Sequence, residues 1–85
     1  MARTRDELLA RVVVDPDIQG GRPVIKGTRV PVARIVGALS AGADYDELNE
    51  DYGIQEEDVR AALAYAAKTL EETEVHILPA PISST

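Results

Sequence analysis

The sequence predicts a mainly α-helical domain with a small β-hairpin, a trihelical unit of the winged helix-turn-helix kind. Three observations carry this expectation. A β-branched run and a Gly/Pro-rich stretch, GGRPVIKGTRVPV, can supply only a few short strands. Beyond Pro31 the apolar residues recur with helical spacing. From Asp44 to Leu63 a short capped helix, a turn at Tyr52-Gly53-Ile54 and a longer helix follow one another.

Taken in order, Thr4 and Glu7 have the spacing of a capping box, where each side chain satisfies a backbone donor at a helix start. One or two turns can follow, through Leu8, Leu9 and Ala10. Arg11-Val12-Val13-Val14 then favours a strand. Asp15-Pro16-Asp17 and Gly20-Gly21 are turn residues, and Val24-Ile25 with Arg29-Val30 read as short strands around Lys26-Gly27-Thr28. Pro31 sits in the first turn of a helix, where no donor is lost. Val32, Ile35, Val36 and Leu39 form the inner face of that helix and Gly42 ends it. Asp44 with Glu47 repeats the capping box, Leu48 points inward, and Gly53 closes the second helix. The third helix is expected from about Gln55 to Glu72, burying Val59, Leu63, Ala66 and Leu70. One domain over residues 1–74 is expected, followed by an extended tail over 75–85. There Pro79 and Pro81 oppose a helix, while Val75, Ile77, Leu78 and Ile82 are apolar.

Composition narrows the function classes. The chain has 85 residues, no Phe, Trp or Cys, and three tyrosines, so its core is built from small aliphatic side chains without a disulfide or thiolate metal site. A homodimer or another partner is the expected source of further burial. The charged start, MARTRDELLARVVV, does not resemble a signal peptide, and no apolar run approaches a membrane span of about 20 residues. A cytoplasmic location and no membrane association are expected. Net charge is −6, but residues 1–34 carry +3 and residues 35–85 carry −9. The basic part suits phosphate; the acidic part suits a cationic protein.

Within that gradient Arg22, Lys26, Arg29 and Arg34 crowd a turn-rich scaffold and are the first candidates for DNA phosphates. Arg60 is the candidate on the helix that reads bases in helix-turn-helix proteins. That helix opens Gln55-Glu56-Glu57-Asp58, three carboxylates that suit the helix dipole but repel phosphate.

The stretch from Arg11 to about Ala67 resembles the bacterial family catalogued as domain of unknown function 433. The resemblance rests on Gly20, Gly21, Arg22, Pro23, Val24, Ile25, Lys26, Gly27, Thr28, Arg29, Val30, Pro31 and Val32, and on Glu57 to Leu63 downstream. It implies a homeodomain-like helical core behind a small β element. It further implies the antitoxin of a type II toxin–antitoxin pair, which blocks a PIN-like ribonuclease toxin and helps repress the shared promoter by binding operator DNA. Relatives often begin the third helix with Ser or Thr where this chain has Gln55. The tail lies outside the signature. By charge and composition, Val75, Ile77, Leu78 and Ile82 are candidates for contact with the toxin, alongside the acidic helices.

No enzyme, cofactor or metal is expected. The single histidine, His76, falls in the tail, and the many carboxylates crowd short amphipathic helices where solvated charge is the ordinary outcome. Two other readings stand beside the antitoxin: a stand-alone DNA-binding transcriptional regulator, and a self-associating structural module that binds no DNA.

Overall fold

In a computed structural model of the chain, described here for residues 4–74, the fold is mainly helical with a two-stranded antiparallel hairpin. α1 spans Arg5–Leu9 and β1 spans Val12–Val14; after a one-turn 3₁₀ segment at Gln19–Gly21, β2 spans Pro23–Ile25. Three longer helices follow: α2 over Val32–Ser40, α3 over Tyr45–Tyr52 and α4 over Glu56–Glu74. The strands pair with Val12 opposite Ile25, Val13 opposite Val24 and Val14 opposite Pro23.

Both capping boxes form as spaced. Thr4 accepts from the Glu7 amide at 3.2 Å and Asp44 from the Glu47 amide at 2.9 Å, and each glutamate returns a bond to its cap residue. α2 starts after Pro31, one position later than the sequence suggests, and closes in a Schellman motif. There Gly42 N–H donates to Leu39 and Ala43 N–H to Ala38, both at 3.0 Å. α3 ends at Gly53, whose φ of 69° is a left-handed value that a side chain resists. Its amide donates to Asn49 at 2.8 Å, and the chain enters α4 three residues later.

The core comprises Ile25, Val32, Ile35, Leu48, Ile54, Val59, Ala61 and Ala62. Val24 is also fully buried. Tyr45, Tyr52 and Tyr65 are half-buried against this cluster. α4 is the spine: α1, α2, α3 and both strands pack on it.

Two expectations need correction. Leu63 and Leu70 are exposed, at 46% and 64%, and Ala66 is half-buried. Val59 is buried as expected, and the rest of the inward face of α4 runs through Asp58, Ala61, Ala62 and Tyr65, spaced 0, 3, 4 and 7. The two alanines let the neighbouring elements approach the helix axis closely, so small residues face inward and two leucines do not. Arg29 and Val30 form no strand. β2 pairs with β1, and on its other side only the Ile25 amide reaches Val30, at 3.0 Å, and one bridge joins Val24 to Pro31. Proline has no N–H with which to continue a ladder.

The first and last helices are tied by a forked ion pair. The Arg5 guanidinium donates to both oxygens of Glu71 at 2.8 and 2.9 Å. Those hydrogen bonds hold the Glu71 carboxyl below its ordinary value of 4.5, against an opposing effect of desolvation, and push Arg5 up. A depressed folded pKa stabilises above the ordinary carboxylate range and ceases to do so as the pH falls through the depressed value. In denaturant titrations the wild type is therefore expected to exceed Glu71→Gln in stability near neutral pH. That difference should close on acidification below about pH 4 and shrink in high salt. A difference that widened in acid would contradict the pairing.

Candidate functional site

The charge gradient resolves into paired and unpaired cations. Of the eight basic residues described, four sit on carboxylates of α4: Arg5 on Glu71, Arg11 on Glu57 and Asp58, Arg60 on Glu56, and Lys68 on Glu72. The other four are Arg22, Lys26, Arg29 and Arg34. All are exposed, and none has a carboxylate within ion-pair distance among the described residues. The sequence singled out these same four from their crowding. Arg60 differs, since its guanidinium is engaged by Glu56 at 3.0 Å one helical turn away. Such an exposed pair exchanges readily with solvent.

Local chemistry explains how the hairpin presents its cations. Between Ile25 and Thr28 the chain turns through Lys26-Gly27, with Gly27 at a φ of 80° that favours glycine. Thr28 fastens the turn. Its hydroxyl donates to the Ile25 carbonyl at 2.7 Å and accepts from the Val30 amide at 3.0 Å, while its own amide donates to Ile25 at 3.0 Å. Arg29 therefore leaves from a hydrogen-bonded corner. Arg34 sits in the first turn of α2, its amide donating to Pro31 at 3.0 Å. Sequence reading gave Thr28 no role of its own; its place beside Gly27, at a turn, was the available signal.

Two concave surfaces flank Pro31. One is an apolar groove of about 580 Å³ between α2 and the second half of α4, lined by Pro23, Val32, Val36, Tyr65, Leu70 and their neighbours. Among the described residues Arg22 is the one charged member of its wall, and no carboxylate lines it. The exposed Leu70 is accounted for here: it forms one edge of the groove. The second is a smaller cleft of about 220 Å³, lined by Gln19, Arg29, Val30, Pro31, Arg34 and Tyr52. The structure thus separates the four cations, placing Arg22 at the apolar groove, Arg29 and Arg34 together in the cleft, and Lys26 on the turn.

Acidic groups are also sorted. The α4 carboxylates described above are engaged by cations of this chain, whereas Asp46, Glu50 and Asp51 of α3 are exposed and form no ion pair among the described residues. No group of three or more His, Cys, Asp or Glu side chains that could hold a metal occurs among the described residues. No described helix is long and apolar enough to cross a membrane. Val75, Ile77, Leu78 and Ile82 lie outside the described residues.

Comparison with known proteins agrees with this architecture. Residues 12–66 match the model of a family described as protein of unknown function (DUF433). The chain is 43% identical over 54 residues, 64% of its length, to a Mycobacterium tuberculosis protein named "Putative antitoxin VapB45", covering 23% of that protein. It therefore spans about a quarter of that relative. Among solved structures, a DUF433 member from Anabaena variabilis superposes with a TM-score of 0.67 at 30% identity, over 84% of this chain and 71% of the other. Rv2018 from Mycobacterium tuberculosis gives 0.58 at 42% identity, over 64% and 25%.

A substitution tests the turn that carries Arg29. Thr28→Val keeps the side-chain shape but removes both hydroxyl hydrogen bonds, leaving the half-buried Val30 amide without that acceptor. A stability loss of about 1–2 kcal/mol is expected in urea unfolding, largely restored by Thr28→Ser. Equal stability of all three proteins would show that the hydroxyl does not hold the turn.

Proposed function

The chain belongs to the DUF433 family, and on that footing we propose that it is the antitoxin of a type II toxin–antitoxin pair. It binds and neutralises a PIN-like ribonuclease toxin and contributes to repression of the shared promoter by binding operator DNA. The observation that carries this reading is the carboxylate-free apolar groove in a chain of net charge −6. Its support from relatives is the 43% identity to a protein named an antitoxin.

The groove between α2 and α4 takes an apolar helix face of the toxin. An apolar groove at a helix–helix seam is the receiving half of helix-in-groove recognition. The unpaired carboxylates Asp46, Glu50 and Asp51 offer a second contact, to the basic surface with which a ribonuclease holds RNA. Val75, Ile77, Leu78 and Ile82 follow α4 in sequence and extend the apolar contact. DNA phosphates fall to Arg22, Lys26, Arg29 and Arg34, with Arg60 a secondary candidate because Glu56 competes for it. Binding through these residues is electrostatic and weakens steeply with salt.

A homodimer through the same groove is the second reading, favoured because two copies of an acidic chain approach best through a face without carboxylates. The chain acts without catalysis or a cofactor, from the cytoplasm.

Val36→Glu places a charge on the groove wall at a half-buried position. It is expected to weaken binding to the PIN-like protein encoded beside this chain by at least about 100-fold, while circular dichroism stays helical. Deletion of residues 75–85 should weaken it by a smaller factor. Wild-type affinity in Val36→Glu would remove the groove from the toxin interface. A change in oligomeric state alone would assign the groove to the homodimer.

A further inference from the structure

We propose that Arg29 and Arg34, with Gln19 and Tyr52, form a seat for one phosphate group of a nucleic-acid backbone. This rests on the DNA-binding part of the function proposed above and narrows it from four cations to one cleft. The two arginines line the same cleft of about 220 Å³. Neither has a carboxylate partner among the described residues, although four other basic residues of the chain do. Two unpaired guanidinium groups on one cleft repel each other until an anion lies between them. The planar fork of arginine suits an anion with several oxygens.

The cleft walls keep the two groups in place. Arg29 follows the turn fastened by Thr28, Arg34 is in the first turn of α2, and the short path between them runs through Val30 and the fixed φ of Pro31. Pro31, the N-cap of α2, supplies no side-chain cap, so the positive end of the helix dipole adds to the field of the two arginines. Gln19 and Tyr52 contribute neutral donors from the 3₁₀ segment and the last turn of α3. Gln19 holds a left-handed φ of 51°, the one described residue other than glycine to do so. Glycine would occupy that position with less strain, so the amide side chain is retained at a conformational cost.

The test uses the full chain, with inorganic phosphate as the first probe and a mixed-sequence DNA duplex with 5′-hydroxyl ends as the second. Amide NMR shifts are followed at constant ionic strength, with chloride as the reference. Phosphate and duplex are both expected to shift Gln19, Arg29, Arg34 and Tyr52. Arg29→Gln and Arg34→Gln should each weaken phosphate binding about tenfold, whereas Lys68→Gln, an equal change of charge on α4, should alter it less than about twofold. Gln19→Gly should weaken binding without lowering the melting temperature, which separates a ligand role from a structural one. Duplex binding unaffected by Arg29→Gln and Arg34→Gln would overturn the cleft and leave DNA binding standing. Phosphate binding in the cleft with no duplex binding would support the seat for free phosphate and overturn its nucleic-acid source. Shifts no larger with phosphate than with chloride, or binding of a glutamate-rich peptide alone, would overturn the phosphate seat.

Discussion

The carboxylate of Asp58 ties the segment that leads into β1 to the start of α4. Asp58 accepts from Arg11 at 2.8 Å through one oxygen and from the Gln55 amide at 2.9 Å through the other. It stands at the third position of α4 and supplies half of a capping box from inside the helix, where Gln55 caps poorly. The residue is 8% exposed. Removing Arg11 would leave this carboxylate without its cation at a poorly solvated position, whereas removing Asp58 would leave Arg11 with Glu57 at 3.1 Å. The interaction fixes where β1 begins relative to the start of α4, and hence where the hairpin carries its cations.

The charge pattern of the surface depends on that arrangement. Arg5 and Arg11 come from the basic end of the sequence but are spent on α4, leaving the cations between residues 22 and 34 without carboxylates nearby among the described residues. The acidic tip that argued against base reading by α4 is partly structural: Asp58 caps and anchors, and Glu57 also reaches Arg11 at 3.1 Å. Acidity left for a cationic partner includes Asp46, Glu50 and Asp51 on α3. Pro31 divides two surfaces of opposite character, an apolar groove on one side and a cleft with two arginines on the other.

Local signals in the sequence were strong where the chemistry is local. Thr4 with Glu7 and Asp44 with Glu47 are capping pairs whose partners lie three residues apart, and both form. Leu48 and Ile54 are inward as spaced. The failures are long-range. On α4 Val59 is buried as expected, but Leu63 and Leu70 are not, because Ala61 and Ala62 are buried where elements pack closely and Leu70 lines the groove. The strand partner of β2 lies across an eight-residue connection, while the nearer segment at Arg29-Val30 leads into a proline. The hairpin cations were visible as a cluster. Their division between a groove and a cleft required Gln19 and Tyr52 to come together from positions 33 apart in the sequence.

The central claim is that Arg11 and Asp58 join the hairpin to α4 as a coupled pair. A double-mutant cycle with Arg11→Met, Asp58→Asn and both changes together, measured by urea unfolding at neutral pH, tests it most directly. Each single change is expected to destabilise, and the double mutant to be less destabilised than the sum by about 1–3 kcal/mol. Additive losses, to within about 0.5 kcal/mol, would contradict it.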